Sequence, residues 1–98
     1  MEVLVLVPTV LRADCGGAAR LTVTPAPGAD GRVVLRGVLD AVADRHPRFD
    51  RRVRDEQGRL RRYVNVFVGD DECRAVGGLD APVPPGAEVR VLPSVAGG

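Results

Sequence analysis

Lysine and tryptophan are absent from this 98-residue chain, and aromatic residues make up only 3% of it. Because all 14 basic residues are arginine, the chain offers no side-chain amine for acylation. It has a single histidine, His46, and no glycine-rich phosphate-binding loop precedes a predicted helix. A chain with so few groups for nucleophilic or acid–base chemistry is not expected to be an enzyme.

Cysteine is also scarce. The two cysteines, Cys15 and Cys73, are far apart and outside any C-x-x-C spacing, so we expect two reduced thiols. A single non-local disulfide is the alternative. Acidic residues at 70–72 are more typical of a hairpin turn than of a cation site. We expect neither a metal ion nor a cofactor of the chain's own.

An excess of one charge and long apolar runs are missing too. The chain has 14 basic and 13 acidic residues, which gives no reason to expect nucleic acid or a membrane surface as a partner. No stretch approaches the roughly 20 apolar residues of a membrane span, and no leader is visible. At 98 residues we expect one domain, cytoplasmic and monomeric when free.

Arginine is concentrated between residues 45 and 62, where there are eight arginines and three acidic residues. This segment is either a docking patch for an anion or a protein, or a solvated turn with internal ion pairs of little energetic value. It lacks the interleaved aromatic residues of single-strand binders. We favour the solvated turn.

Alternating β-branched residues predict the strands. They lie at residues 2–7, 19–24, 60–68, 72–74 and 88–92. In the first strand the charged Glu2 marks the wet face, so Val3, Val5 and Val7 are expected in the core. Residues 8–17 are expected to form a loop that turns at 15–17.

One helix follows the proline- and glycine-rich residues 25–31. Apolar residues recur at helical spacing from Leu35 to Val42, and His46 lies on the same stripe, so we expect a half-buried histidine at the helix end. Pro47 ends the helix. Its start has no clear signal, because Val34 stands where a serine or threonine cap is usual.

This order of elements predicts an α+β fold, a ubiquitin-like β-grasp with a mixed sheet of about five strands and one main helix on one face. The first and last strands can lie side by side at the centre. A ferredoxin-like sandwich needs a second full helix, whereas the polar residues 48–59 predict only a short turn anchored by Phe49 and Val53. We assign residues 1–92 to the domain and 93–98 to a flexible tail.

The sequence ends in Val95, Ala96, Gly97 and Gly98. A carboxylate is a poor electrophile, so it must be activated, most simply as an acyl-adenylate, by an enzyme that draws the chain end into a narrow channel. Glycines pass such a channel and adopt the dihedrals it imposes, and small residues behind them keep the tail slim. A frayed end is the alternative. We expect Gly98 to be the reactive terminus without proteolytic maturation.

Three segments resemble the ubiquitin-like sulfur carriers. This family includes the small subunit of molybdopterin synthase, the thiamine-pathway carrier and the actinobacterial carrier used to make cysteine. The segments are residues 7–12 (VPTVLR), 62–72 (RYVNVFVGDDE) and 91–98 (VLPSVAGG). The first two are closest to the cysteine-pathway carrier, and the third is shared across the family.

The resemblance implies a two-step cycle. An activating enzyme related to ubiquitin-activating enzymes would use ATP to adenylate Gly98, and a sulfur source would then displace AMP to leave a thiocarboxylate. A partner synthase would take the sulfur, in the cysteine branch onto an activated serine bound to pyridoxal phosphate, or in a thio-natural-product pathway. The carrier would hold no cofactor, and its lack of lysine would prevent self-conjugation.

The open face of the sheet is a candidate docking surface. If the valines fill the core, the other face carries Leu4, Leu6, Asn65, Phe67, Arg90 and Leu92. Apolar groups beside polar ones are typical of a surface that binds another protein. A register shift of one residue would exchange the two faces.

Three other functions stay open on the sequence. The first is a role as the small subunit of molybdopterin synthase. The second is a protein modifier whose Gly98 forms isopeptide bonds with target lysines. The third is an interaction module with an inert tail.

Overall fold

A computed structural model describes residues 1–93 of the chain. The strands are β1 (Val3–Leu6), β2 (Arg20–Val23), β3 (Val64–Val68), β4 (Asp71–Glu72) and β5 (Glu88–Pro93). The α-helices are α1 (Leu35–Arg45) and α2 (Pro47–Val53), and 3-10 helices span Thr9–Cys15, Cys73–Ala75 and Gly78–Asp80. None of the helices in these residues has the length and apolar character needed to cross a membrane.

The five strands form one mixed sheet in the order β2-β1-β5-β3-β4. The first and last strands lie side by side at its centre and run parallel, with Val5 opposite Val89. The other neighbours are antiparallel. This is the β-grasp arrangement that the sequence predicted. The ferredoxin-like alternative is wrong, because α2 has only seven residues and cannot serve as a second full helix.

The core lies between one face of the sheet and α1. Along β1, β3 and β5, buried valines alternate with more exposed residues, as the period of two in a strand requires. The buried residues on the two layers include Val3, Val5, Leu21, Val23, Val64, Val66, Val68, Val89, Val91, Leu35, Val38, Leu39 and Val42. The face predicted from the position of Glu2 is therefore confirmed.

Helix α1 begins without a side-chain cap at Val34. Instead, the N–H of Leu35 donates to the carbonyl of Ala81 at 2.9 Å, and Val34 bridges Pro82. The loop before β5 thus supplies the hydrogen bond that a serine or threonine would supply locally. This explains why the sequence around Val34 carries no start signal.

The two α-helices meet at His46, which ends α1 and precedes α2. The histidine is half-buried as expected, and its Nε2 is buried without a hydrogen-bond partner in the described part of the chain. Pro47 then starts α2, where the missing N–H of proline is no loss. Phe49 and Val53 on the inner side of α2 are fully buried, so both predicted anchors are confirmed.

Arg54, just after α2, is only 8% exposed. Its Nε donates to Asp50 Oδ1 at 2.7 Å, and its Nη1 donates to Asp40 Oδ1 at 2.8 Å. Burial by itself would lower the pKa of Arg54, but the hydrogen bonds that it donates to Asp50 and Asp40 outweigh this effect and raise that pKa. This guanidinium joins the two helices. It is therefore a structural ion pair and not part of a solvated turn.

The predicted loop at residues 8–17 was wrong in part. Residues 9–15 form a 3-10 helix that buries Leu11 and Cys15 and ends at Gly16, whose φ of 64° is readily adopted by glycine. The Nε of Arg12 donates to the carbonyl of Val7 at 3.1 Å and ties this helix to the end of β1.

Two predicted strand boundaries were wrong by two or more residues. Strand β3 begins at Val64 rather than at residue 60, because Val64 donates its N–H to the carbonyl of Arg61 and closes a turn there. Strand β4 ends at Glu72, because the Glu72 side chain accepts the N–H of Arg74 and starts a 3-10 helix. Burial would raise the pKa of Glu72, but its hydrogen bonds with Arg74 lower it.

Candidate functional site

The face of the sheet opposite α1 carries the predicted docking residues. On β3 and β5, Phe67 lies opposite Arg90, and Asn65 lies opposite Leu92. On the other side of β5, Leu6 lies opposite Arg90. Residues paired across strands share a face, so Arg90 lies between Phe67 and Leu6. The structure therefore brings the predicted set together on one surface and excludes the one-residue register shift.

This open face combines apolar contact area with charged side chains. Leu92 is 39% exposed, and Leu4, Leu6, Asn65 and Phe67 are half-buried. The Cζ of Arg90 lies 5.9 Å from the centroid of the Phe67 ring, within reach of a cation–π contact. The surface therefore offers a preformed aromatic and aliphatic centre, with Arg90 exposed beside it.

Sequence reasoning missed several residues that border this surface, among them Glu88, which lies opposite Leu4. Tyr63 is 54% exposed and directly precedes β3, with the same parity as Asn65 and Phe67. Glu72 of β4 lies opposite Phe67 on the side away from Arg90. The parity of Tyr63 along the strand was the signal that would have identified it.

The tail begins at the same end of the sheet as Tyr63. Pro93 is the last residue of β5 and pairs with Val64, the first residue of β3. The strand thus extends one residue beyond its predicted end. The predicted tail residues Val95, Ala96, Gly97 and Gly98 lie outside the described residues. What the structure places is the root from which they continue.

Both cysteines are free thiols in the core. Burial, with a smaller contribution from Glu72, raises the pKa of Cys73 to about 11. Burial and the nearby Asp14 also raise the pKa of Cys15. Thiolates are the nucleophilic form, so neither side chain is suited to attack an activated carboxyl group. Within residues 1–93 there is also no cluster of three or more metal-binding side chains.

The comparison with known proteins agrees with this geometry. No established family profile matches the chain. It is 34% identical over 100 aligned positions to the sulfur carrier protein CysO of Mycobacterium tuberculosis, and equally to that of Mycobacterium bovis. The alignments cover 100% of this chain and 100% of each relative. The chain belongs to the CysO family of sulfur carrier proteins.

Solved CysO structures have the same fold. The crystal structure of the Amycolatopsis orientalis BexX/CysO complex matches with a TM-score of 0.82 at 35% identity, covering 98% of this chain and 99% of the other. Mycobacterium tuberculosis CysO, described as an antigen, matches at 0.77 and 30% identity, over 95% of this chain and 99% of that one. The CysO of Amycolatopsis orientalis was thus crystallised in a complex with BexX.

A more distant likeness concerns the fold alone. Small archaeal modifier protein 1 from Haloferax volcanii matches with a TM-score of 0.79 and 23% identity, with both chains covered completely. The sheet and helix are therefore shared by ubiquitin-like proteins. The predicted family and fold class are both confirmed.

Proposed function

We propose that this chain carries sulfur for cysteine biosynthesis as a thiocarboxylate on Gly98. In the first step, the Gly98 carboxylate attacks the α-phosphate of ATP in an activating enzyme and pyrophosphate leaves. In the second, a sulfur donor attacks the acyl carbon of the adenylate and AMP leaves. A synthase then joins the sulfur to its acceptor, and hydrolysis by water cleaves the bond between the product and the acyl carbon, which releases the product and restores the carboxylate of Gly98.

The observation that supports this most is the full-length match to CysO sulfur carriers. The structure adds a rigid support for the tail. Pro93 is held in the sheet by its pairing with Val64, and the five residues after it can extend at most about 18 Å. A partner that reaches Gly98 therefore works close to the end of the sheet that carries Tyr63.

The chain itself acts as a carrier and not as a catalyst in this proposal. ATP is the substrate of the activating enzyme, and no cofactor is bound by the carrier. Its side chains offer no amine and no accessible thiol, because lysine is absent and both cysteines are buried. An activated Gly98 is thereby kept for the external sulfur donor. We place the protein in the cytoplasm, where its ATP-using partner works.

The open face would dock the activating enzyme and the synthase. Phe67, Leu4, Leu6 and Leu92 provide apolar contact area, Arg90 among them provides hydrogen-bond donors, and Tyr63 and Glu72 border the surface. Interfaces of this type combine an apolar centre with polar edges. Gly97, Ala96 and Val95 would follow Gly98 into the active-site channel, where their small side chains fit.

The first experiment is ATP–pyrophosphate exchange with the activating enzyme from the same cells. We expect exchange to depend on the carrier and to be lost when Gly98 is deleted. The control is Arg32→Ala, which changes an exposed side chain next to Met1 and Pro84, away from Pro93. Exchange that is unaffected by the deletion would contradict a role for Gly98.

A second experiment separates the cysteine branch from the alternatives. The thiocarboxylate form is mixed with a cysteine-synthase-like enzyme and activated serine, and in parallel with molybdopterin synthase large subunit and its precursor. We expect sulfur transfer only in the first mixture. A ladder of heavier conjugates in cell extracts would favour a protein modifier, and full function without Gly97 and Gly98 would favour an inert interaction module.

A further inference from the structure

Four arginines lie on adjoining segments of the chain where β3 begins, next to the root of the tail. Arg61 donates from Nε to the carbonyl of Arg51 at 2.8 Å, and Arg74 donates from Nη2 to the carbonyl of Arg61 at 2.9 Å. Arg62 follows Arg61 and lies two residues before Val64. We call Arg51, Arg61, Arg62 and Arg74 the arginine cluster.

The cluster joins three elements that are distant in sequence. Arg51 lies in α2, Arg61 and Arg62 lie in the turn before β3, and Arg74 lies in the 3-10 helix after β4. The guanidinium of Arg61 is fixed by a backbone carbonyl alone, whereas that of Arg74 is held by the carbonyl of Arg61 and by the carboxylate of Glu72. A guanidinium that donates to a carbonyl keeps its full charge and has further N–H groups available. The positive charge is therefore held in place before any partner arrives.

Three of the five other arginines between residues 45 and 62 are paired with carboxylates. Arg54 bonds Asp50 and Asp40, Arg52 lies 3.4 Å from Asp14, and Arg59 lies 3.3 Å from Asp55. In the cluster only Arg74 has a carboxylate, Glu72, at 3.1 Å. Among residues 1–93, no carboxylate lies within ion-pair distance of Arg51, Arg61 or Arg62. The fold thus puts three arginines without such a partner on adjoining segments.

We propose that the arginine cluster binds an acidic surface beside the tail channel of the activating enzyme. This inference rests on the proposed function, because it requires an enzyme that takes the tail. Pro93 pairs with Val64, three residues after Arg61, so a protein that holds Gly98 lies within about 18 Å of the tail root. An acidic surface on that protein would then meet the arginine cluster. The attraction between these opposite charges steers the encounter and fixes its orientation. A protein surface is favoured over nucleic acid because the whole chain has a net charge of only +1.

The test is the double variant Arg51→Glu/Arg62→Glu. These side chains are exposed and make no hydrogen bond within the described residues, so reversal leaves the carbonyl contacts of Arg61 and Arg74 intact. Adenylation of Gly98 by the activating enzyme is measured as kcat/KM at low and high salt. At low salt we expect kcat/KM of the double variant to fall by about tenfold or more, mainly because KM rises. The difference from the wild type should become smaller at high salt, where the charges are screened.

The matched control is Arg32→Glu, which also reverses an exposed arginine. Arg32 lies beside Met1, Pro84 and Pro85, at the end of the sheet away from Pro93. We expect kcat/KM within about twofold of the wild type for this variant. Circular dichroism and thermal unfolding of all variants establish that they are folded.

The outcomes separate this inference from the proposed function. If wild-type carrier is not adenylated, the proposed function fails and the inference with it. If the wild type is adenylated and the double variant matches it at low salt, the inference alone is overturned. It is also overturned if the wild type binds a single-stranded oligonucleotide, the double variant does not, and adenylation of the two is the same. That result would assign the cluster to nucleic acid.

Discussion

Phe67 and Arg90 face each other across β3 and β5, with the Arg90 Cζ 5.9 Å from the centre of the Phe67 ring. A cation–π contact at an exposed site contributes about 0.5–1 kcal/mol. It limits the rotation of both side chains before a partner binds. The open face therefore presents an ordered aromatic group at its centre. This group lies between β3 and β5, the two strands that hold the root of the tail.

Phe67→Ala should weaken binding to the activating enzyme by about tenfold or more, because buried aromatic side chains carry much of an interface's binding energy. The dissociation constant is measured by isothermal titration calorimetry. Stability should change little, since Phe67 points away from the core. Val10→Ala is the matched control, because Val10 is an apolar side chain that is 70% exposed on the 3-10 helix Thr9–Cys15.

Unchanged affinity in Phe67→Ala would remove the open face from the docking surface. An equal loss in Val10→Ala would show that the effect is not specific to this face. An unfolded Phe67→Ala variant would contradict the assignment of Phe67 to the outer side of the sheet.

The sheet was the most predictable part of the molecule. Alternation has a period of two, so the single charged residue Glu2 was enough to assign Val3 and Val5 to the core. The open face followed from the same parity. Phe67 and Arg90 could then be placed on one surface without any knowledge of strand order.

Contacts between distant segments could not be predicted. Asp50 and Arg54 are four residues apart and suggest a local pair, but Asp40 joins them only after α1 and α2 have packed. The 3-10 helix Thr9–Cys15 shows only Leu11 and Cys15 as inward residues, too few for a periodic pattern. The arginine cluster depends in the same way on backbone carbonyls that the fold brings together.

Arg54→Met should lower the free energy of unfolding by about 2 kcal/mol, since hydrogen bonds to charged groups contribute about 1.5–3 kcal/mol and the exposure of Asp40 reduces the gain. Methionine keeps the apolar stem and removes only the guanidinium. The measurement is urea unfolding followed by circular dichroism. Arg48→Met on the exposed side of α2 is the control, with an expected change within about 0.5 kcal/mol. Equal effects in both variants would contradict a structural role for Arg54.

The Cys73 thiol should make stability depend on pH in the alkaline range. Burial raises its pKa in the folded state to about 11 from an ordinary value of 9.0, so folding favours the neutral thiol. The contribution is complete below about pH 9 and is lost as the pH rises through about 11. Urea unfolding across this range should show a steeper decline for the wild type than for Cys73→Ser. Parallel declines would contradict the raised pKa.

Both thiols should also resist alkylation in the folded protein. Iodoacetamide reacts with the thiolate, and Cys15 and Cys73 are buried with raised pKa values. We expect no labelling of the native protein at neutral pH and labelling of both cysteines in denaturant, measured by intact mass. Rapid labelling of the native protein would show that a carrier thiol can compete for an activated Gly98.

The most direct test of the central claim is the intact mass of the carrier after incubation with ATP, sulfide and the activating enzyme. The account predicts a mass gain equal to the exchange of one oxygen for one sulfur, which is absent without ATP and absent when Gly98 is deleted. A carrier of unchanged mass in the complete mixture, or one that gains sulfur without Gly98, would contradict it.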